Sequence, residues 1–315
     1  MRILIVGSGC AGGLIGARLI EKKCDVTFLV RLQRKSQLLT TGLVLHSHYG
    51  KFRRPVAAIT PNELRGIYDL IIIACRAMDY DSVLEMLVFS IGPETMVVPV
   101  LEGANHLRRD LVPNGGRLIG GVLEARIVLD ADGVLHQRMP GAELHIGAMD
   151  PFDDLAARQI AALLDGRGIK SISSVRIEAA IWERYCFTAA AVATNVRTGL
   201  SLRDAVRPTH HVTSFDVLLR EGILIGEAIG LQPRHEYVMR YRHGFRMETR
   251  PVQPPALVNG AGRGSDEAVF LLFEMVAIAE RAGVPVPKLR AARDDLLRPR
   301  EITLAADDVT TDAAE

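Results

Sequence analysis

The first residues whose types and spacing indicate chemistry form a glycine-rich segment at residues 7–12. It follows an apolar run at residues 2–6 and opens a helical pattern at residues 11–23. In that setting a GxGxxG segment is typical of dinucleotide binding, because its glycines allow a tight turn, a close approach to the pyrophosphate and close helix packing. The alternative is a glycine-rich turn that binds nothing. We predict that the cofactor contacts Gly7, Ser8, Gly9, Cys10, Ala11 and Gly12.

The end of the second predicted strand, residues 25–30, holds the side chains that select between dinucleotides. NAD-binding proteins usually place Asp or Glu here, where the carboxylate accepts hydrogen bonds from the ribose. This strand ends instead at Arg31, followed by Arg34 and Lys35, with no carboxylate among them. A basic cluster suits a 2′-phosphate, so the sequence predicts NADP(H), bound chiefly by Arg31. Alternatively, Arg34 and Lys35 only begin a solvated helix.

Alternating elements position these residues. Helical patterns, notably residues 11–23 and 80–89, separate apolar strand patterns. The strand patterns cover residues 2–6, 25–30, 69–75, 95–101 and 117–123. This alternation predicts an α/β fold with a parallel sheet and helices on both faces, as in a Rossmann-type dinucleotide-binding domain.

The pattern changes after about residue 124. Residues 130–133 form a hairpin turn, and a helix at 154–164 and a short strand at Ser171–Val175 follow. The remaining pattern is helical, at residues 177–197, 213–230 and 266–282. We therefore predict an NADP-binding domain at 1–170, an all-helical substrate or dimerisation domain at 171–300, and a flexible tail at 301–315. Prolines and glycines at 249–265 predict a long loop within the helical part.

Composition limits the class of protein. The 315 residues carry a net charge of +1, which disfavours nucleic-acid and membrane-surface partners. The four cysteines show no CxxC spacing, which favours a reduced compartment over a disulfide or zinc framework. The N-terminus resembles a strand and not a signal peptide, and no apolar run approaches the length of a membrane span. We expect a cytoplasmic enzyme with a small-molecule substrate, without a metal, and compatible with a homodimer through its helical part.

Further motifs along the chain complete a family resemblance. They are Val30-Arg31, Cys75-Arg76-Ala77, the segment LEGANHL at 101–107, GGV at 120–122, LDADG at 129–133, WERY at 182–185 and ERAGVPVP at 280–287. Together with GSGCAG at 7–12, they make the chain similar to the ketopantoate reductase (2-dehydropantoate 2-reductase) family. The resemblance implies NADPH-dependent reduction of a 2-oxo acid to a 2-hydroxy acid between the two domains.

The resemblance also implies roles for single residues. A family lysine that donates the proton is replaced by Arg184, and an asparagine that touches nicotinamide and substrate is replaced by Glu102. Arg76 stands at a cofactor-binding lysine, and Glu267 matches a glutamate that binds the ribose. Two family asparagines on the catalytic helix are replaced by Thr188 and Val192. The substrate-binding serine segment of the family falls near residues 245–265, where we assign no serine.

These replacements change the chemistry. Reduction of a carbonyl needs a proton for the new alkoxide, and arginine, with a pKa above about 12, is a poor donor. Arg184 can still stabilise an oxyanion or clamp a carboxylate. Glu102 alone would repel a 2-oxo acid, so we predict that Glu102 and Arg184 form a pair. We accordingly assign catalytic roles to Arg184 and Glu102, and substrate contacts to Thr188 and Asn195, which share a helix face with Arg184.

Alternatives accompany these assignments. Arg184 could form a salt bridge without chemistry, Glu102 could be a solvated acid, and Glu267 could be the first-turn acid that a helix dipole favours. Thr188 and Asn195 could serve helix packing. For the whole protein, the alternatives to a carbonyl reductase are an imine or amino-ketone reductase that uses Glu102, or an NADP-binding homologue with non-redox or lost activity.

Other candidates carry weaker signals. His46 and His48 alternate on a predicted strand, where a metal pair competes with a partly exposed strand. His210 and His211 lack metal-ligand spacing, and the basic run at 234–250 suits a solvated helix better than an anion site. Cys186 lies in an apolar helix, which favours a buried thiol over a nucleophile.

Overall fold

The computed structural model describes residues 1–108, 112–198, 214–234, 236 and 266–297. Its main sheet has eight strands in the order β12-β11-β8-β7-β6-β1-β2-β5, and a second sheet has the order β4-β3-β10-β9. The strands are β1 Arg2–Val6, β2 Asp25–Leu29, β3 Leu43–Ser47, β4 Gly50–Arg54, β5 Ala57–Ile59, β6 Leu70–Ile73, β7 Met96–Pro99, β8 Arg117–Glu124, β9 Ile127–Leu129, β10 Val134–Gln137, β11 Glu143–Ala148 and β12 Lys170–Ser173.

Six neighbouring strands of the main sheet run parallel, namely β8, β7, β6, β1, β2 and β5. Strand β11 pairs antiparallel with β8. In the centre, Ile5 of β1 lies opposite Phe28 of β2 and Ile72 of β6. Strands that are buried on both faces need continuous apolar runs, and all four residues of β6 have no exposed surface. The apolar runs identified in the sequence therefore become the central strands.

The helices of the described residues are α1 Cys10–Glu21, α2 Leu32–Thr41, α3 Tyr80–Met86, α4 Asp154–Leu164, α5 Ile177–Thr198, α6 Ser214–Ala228, α7 Asp266–Arg281 and α8 Pro287–Leu297. Apolar side chains of α1 and α4 pack on one face of the main sheet, and those of α3 and the start of α5 pack on the other. Helices α5, α6, α7 and α8 share a separate core. The predicted fold class, a Rossmann-type domain followed by a helical one, is confirmed.

Helix α5 is the central element of the helical part. It contacts β8 and β11 of the sheet as well as α6, α7 and α8, and its residues 179–196 are all buried. Trp182 donates through Nε1 to the carbonyl of Gly222 in α6 (3.0 Å), and the Tyr185 hydroxyl donates to the carbonyl of Leu271 in α7 (2.6 Å). The polar atoms of these two aromatic side chains thus find partners on the neighbouring helices.

Some local predictions differ from the structure. The strand predicted at Ser171–Val175 lies at Lys170–Ser173, and the sequence analysis did not identify β4, β5, β11 or α8. His48 lies in the turn after β3 and not on a strand with His46. No helix of the described residues is long and apolar enough to cross a membrane. The division into 1–170 and 171–300 stays a prediction, and the predicted tail at 301–315 and loop at 249–265 lie outside the described residues.

Candidate functional site

The glycine segment forms the turn between β1 and α1. Gly7 has φ +94°, and a Cβ there would lie 2.6 Å from the carbonyl oxygen of Ala74, so only glycine fits. A Cβ on Gly12 would overlap the carbonyl oxygen of Gly7, which keeps α1 close to β1. Around Gly9, in contrast, no described atom lies within 4 Å of a Cβ position. The turn is therefore closed toward the protein and open above Gly9, as a pyrophosphate cradle requires.

The residues between these glycines complete the turn. Ser8 is 3% exposed, and Cys10 and Ala11 are half-buried in the first turn of α1. Burial raises the pKa of the Cys10 thiol, which keeps this thiol neutral beside a phosphate. The chain thus supplies backbone N–H groups at a helix N-terminus, where anions bind, and it fits a dinucleotide at this position.

Arg34 and Lys35 lie in the first turn of α2, a helix in which only Leu38 is buried, and both side chains have partners within the protein. Arg34 donates through Nε to the Ser8 hydroxyl (2.9 Å), and through Nη1 to the carbonyl of Gly133 (3.1 Å). Lys35 pairs with Glu63 at 2.5 Å, and its hydrogen bond lowers the pKa of that carboxyl to about 2. Both residues hold neighbouring loops in place, which leaves Arg31 as the basic residue best placed for a ligand.

The end of β2 carries no carboxylate, but the fold brings an acid to Arg31 from a different loop. Asp79, in the turn after β6, lies 3.5 Å from Nη2 of Arg31. The same carboxylate accepts hydrogen bonds from Arg76, at 3.0 Å from Nε and 3.3 Å from Nη2. Arg31 and Arg76 thus share one acid, and the sequence pattern gave no sign of it because Asp79 follows a different strand.

Glu102 and Arg184 are in contact. Glu102 Oε1 accepts from Arg184 Nη2 at 2.7 Å and from Nε at 3.3 Å, and its Oε2 accepts from the Thr188 hydroxyl at 2.6 Å. Glu102 lies beyond the carboxyl end of β7, next to Gly103 with φ +89°, and both partners lie on α5. The side chains of Arg184 and Glu102 are 10% and 19% exposed. The predicted pair therefore exists, with Thr188 as its third member.

The other predicted substrate residue, Asn195, is buried further along α5. It lies 11 residues from Arg184, or about 16 Å along a helix. Val192, at the second position where the family carries asparagine, is buried in the apolar core of the helices. The structure thus brings Thr188 to Glu102 and places Asn195 about three turns away.

Glu267 connects α7 to the loop after β6. Its Oε1 accepts a hydrogen bond from the backbone N–H of Ala77 (3.2 Å), and the residue is 8% exposed. Burial raises the pKa of this carboxyl, and the charge of Glu102 raises it further. Glu267, Arg76 and Glu102 therefore lie at the carboxyl ends of adjacent strands β6 and β7, beside the glycine turn after β1.

Two functional candidates escaped the sequence analysis. His106 is 1% exposed in a single 3₁₀ turn at Asn105–Leu107, and neither ring nitrogen has a hydrogen-bond partner among the described residues. Burial lowers the pKa of His106 to about 4, against the opposing effect of Glu102. Arg126, at the β8–β9 connection, has its pKa lowered by burial and by the charge of Arg184. Their proximity to Glu102 and Arg184 depends on tertiary structure, which no local pattern encodes.

The weaker candidates lie apart from this cluster. His46 packs edge-on against His136, with 5.3 Å between ring centroids. Of the basic run at 234–250, Arg234 pairs with Glu183 at 3.0 Å, while most of the run and His210-His211 lie outside the described residues. Cys186 is buried, which raises the pKa of its thiol. Within the described part of the chain, Glu124, Glu143 and His145 come close enough to hold a metal ion, with His145 Nε2 3.7 Å from a carboxylate oxygen of each glutamate.

The fold and the turn define a Rossmann-type dinucleotide-binding protein with a helical second part. Residues 3–151 match the family model of ketopantoate reductase PanE/ApbA. The N-terminal part of the chain is therefore similar to the ketopantoate reductase family.

Individual proteins extend this similarity along the chain. YkpB of Bacillus subtilis, described as an uncharacterized oxidoreductase, is 34% identical over 191 residues, which cover 60% of this chain and 63% of that protein. A 2-dehydropantoate 2-reductase of Streptococcus pyogenes is 24% identical over 249 residues, covering 76% of this chain and 78% of that protein. A solved structure of D-mandelate dehydrogenase with NADH and anilino(oxo)acetate superposes with a TM-score of 0.83 at 16% identity, covering 94% and 97% of the two chains.

Proposed function

We propose that the protein is an NADP(H)-dependent reductase that transfers a hydride to the carbonyl carbon of a 2-oxo acid or a similar small carbonyl compound. The reaction would take place between the carboxyl ends of β1, β6 and β7 and the facing helices α5 and α7. The observation that carries this proposal is the contact of Glu102 with Arg184 and Thr188. This contact lies beside the open glycine turn, where a nicotinamide cofactor supplies the hydride when it is bound.

The contact of Glu102 with Arg184 makes the site compatible with an anionic substrate. Glu102 alone would repel a 2-oxo acid, but the guanidinium of Arg184 compensates its charge at 2.7 Å. Arg126 adds a second guanidinium, whose pKa is lowered by burial and by the charge of Arg184, to which it lies close. A substrate carboxylate or a developing oxyanion is therefore favoured here.

Arg184 would stabilise the oxygen on which negative charge develops. A guanidinium has five N–H donors in a planar fork, and Glu102 accepts from Nε and Nη2. Glu102 thus fixes the orientation of the fork. The hydride goes to the carbonyl carbon and the carbonyl oxygen takes a proton, for which solvent water is the donor consistent with the high pKa of arginine.

Cofactor recognition would fall to the glycine turn, Arg31, Arg76 and Glu267. Arg31 is the exposed cation at the end of β2, with 81% of its side chain accessible, and a charge-assisted contact to a 2′-phosphate supports NADP(H). Glu267 lies at the loop after β6, where the family glutamate binds the ribose. The similar fold of D-mandelate dehydrogenase holds NADH, so both cofactors belong in the test.

The imine or amino-ketone alternative loses support from the same contact. It requires Glu102 to pair with a substrate nitrogen, but Arg184 and Thr188 already contact both carboxylate oxygens. The alternative of lost or non-redox activity depends on whether a site without the family lysine still transfers a hydride, which kinetics can decide.

The test is steady-state oxidation of NADPH and of NADH with a panel of 2-oxo acids, from small aliphatic to aromatic, and a matching panel of imines. We expect turnover with at least one 2-oxo acid, and a loss of about a hundredfold in kcat/KM for Arg184→Ala, the usual effect of removing an oxyanion donor. Arg158→Ala, which removes an exposed arginine of α4 paired with Asp154, is the matched control. Turnover of imines alone would contradict the proposed substrate class, and cofactor binding without any turnover would favour the non-redox alternative.

A further inference from the structure

Asp79 lies between the two arginines that are candidates for cofactor binding. Its Oδ2 is 3.0 Å from Nε of Arg76 and 3.5 Å from Nη2 of Arg31. Its side chain is 27% exposed, whereas that of Arg31 is 81% exposed. The carboxylate is thus the more buried member of the group, and the arginines surround it from the solvent side.

Helix capping does not explain the orientation of Asp79. The residue occupies the N-cap position of α3, yet its side chain makes no capping hydrogen bond. Its carboxylate turns instead to Arg76, whose pKa it raises. A side chain at this position without a capping role can be replaced by an isosteric amide at little cost to folding.

The location of the group relates it to the adenosine end of a dinucleotide. Arg31 follows β2 and Arg76 follows β6, and these two strands flank β1, which leads into the glycine turn. In this architecture the residue at the end of β2 meets the adenosine ribose, whose 2′ position distinguishes NAD from NADP. Asp79 therefore lies beside the group that discriminates between the two cofactors.

We propose that Asp79 sets the selectivity between NADPH and NADH, weakening NADPH binding and supporting NADH binding, so that the protein binds both. This inference rests on the proposed use of a nicotinamide dinucleotide. A 2′-phosphate carries a charge of about −1.5 to −2 at neutral pH. To bind Arg31, the 2′-phosphate must displace Asp79 from this arginine. The phosphate then lies close to the Asp79 carboxylate, which repels it. A ribose with free hydroxyls instead finds in Asp79 the acceptor that NAD-binding proteins usually place at the end of β2.

Calorimetric titration with NADPH and NADH, without substrate, tests this directly. For the unaltered protein we expect the two dissociation constants to differ by less than about tenfold, below what one unopposed charge-assisted phosphate contact gives. Asp79→Asn keeps the shape and removes the charge, so NADPH should bind about tenfold more tightly and NADH more weakly. Arg31→Ala should shift the preference toward NADH.

Asp81→Asn is the matched control, since it removes the same charge from an exposed residue two positions further along. It should leave both affinities unchanged. If Asp79→Asn binds the two cofactors in the same ratio as the unaltered protein, the assignment of selectivity to Asp79 is overturned while the proposed function stands. If the unaltered protein binds neither cofactor, the proposed function fails, and the inference fails with it.

Discussion

At the scale of single residues, Glu102 is held by α5 through both carboxylate oxygens. Removing one partner of a largely buried ion pair leaves an uncompensated charge, which can cost about 3 kcal/mol or more. We therefore expect Glu102→Gln and Arg184→Leu each to lower the free energy of unfolding, with the double variant less destabilised than the sum of the two. Denaturant unfolding of the four proteins gives the coupling, which we expect to be at least about 1 kcal/mol.

The exposed pair Arg158–Asp154 is the control for this cycle, because its side chains are 62% and 45% exposed. Exposed pairs of this kind couple by less than about 1 kcal/mol. A coupling of Glu102 and Arg184 no larger than that of the control pair would mean that the two side chains do not stabilise the protein together.

His106 makes the stability of the protein depend on pH. Its pKa in the folded protein is about 4, whereas an unfolded chain gives about 6.5. Between these values the unfolded state binds a proton that the folded state does not, so stability falls as the pH falls through this window. We expect His106 to account for a loss of about 2 kcal/mol between pH 7 and pH 5.

His106→Phe should remove this part of the pH dependence, whatever its effect on stability at pH 7. Denaturant unfolding at pH 5 and pH 7 measures the difference for each protein. His48→Gln, at an exposed histidine, should retain the full dependence. An equal loss of stability in the His106→Phe variant would show that other groups cause it.

The site could be predicted from the sequence where a residue follows a motif or a family position. Gly7, Gly9 and Gly12 have the expected backbone environments, and Glu102 meets Arg184 as predicted. Asp79 and His106 were not predicted, because their importance comes from the side chains that neighbouring loops bring to them. The effect of a carboxylate after β6 on an arginine after β2 can be recognised only when the order of the strands in the sheet is known.

At the scale of elements, the turn between β1 and α1 separates a ligand-facing glycine from a packing glycine. A valine at Gly9 would project into space that is open among the described residues, whereas one at Gly12 would overlap the carbonyl of Gly7. Gly9→Val should therefore fold normally and lose NADPH binding, because its side chain occupies the place of the pyrophosphate. Thermal unfolding and calorimetric titration measure the two effects separately.

Gly12→Val is the matched variant for this experiment, with the same substitution three residues further along. It should lower the free energy of unfolding by about 1–3 kcal/mol or more, because its side chain overlaps the backbone carbonyl of Gly7. If Gly9→Val retains normal NADPH affinity, the turn has a purely structural role.

The elements differ in how well the sequence predicts them. The strand β6 was identified because burial on both faces leaves its apolar run without a polar interruption, and α5 because its apolar residues recur along 22 residues. Strands β3 and β4 form an edge hairpin whose residues alternate between the core and solvent, as Leu45 and Phe52 are buried and Lys51 and Arg53 are exposed. Short, half-exposed strands of this kind differ little from polar loops in sequence.

At the scale of the whole molecule, the proposed cofactor site joins the sheet to the helices. Glu267 of α7 binds the loop after β6, and Arg184 of α5 binds Glu102 beyond β7. A ligand bound between them stabilises both parts, and at 100 times its Kd the gain is about 2.7 kcal/mol. We therefore expect NADPH to raise Tm by roughly 5 °C.

Glu267→Gln should reduce the rise in Tm caused by NADPH, because it replaces one carboxylate oxygen, the proposed acceptor for the ribose, with an NH2 group. The remaining amide oxygen can still accept from the backbone N–H of Ala77. At the same NADPH concentration, a tenfold loss of affinity removes about 1.4 kcal/mol, roughly half of the stabilisation. Glu280→Gln, at the other end of α7, where Glu280 pairs with Arg290, should behave as the unaltered protein does. Equal shifts for both variants would place Glu267 outside the binding site.

The second sheet determines when the dinucleotide turn can be completed during synthesis. Leu135 of β10 packs against Gly13 of α1, and β10 pairs in parallel with β3. The hairpin at residues 127–137 is synthesised about eighty residues after β3 ends at Ser47, which takes roughly 4–16 seconds at 5–20 residues per second. During that interval α1 and β3 present apolar surfaces whose covering strand does not yet exist. The glycine motif is thus synthesised before the rest of the site, yet its helix gains the contact with Leu135 only after a segment made much later.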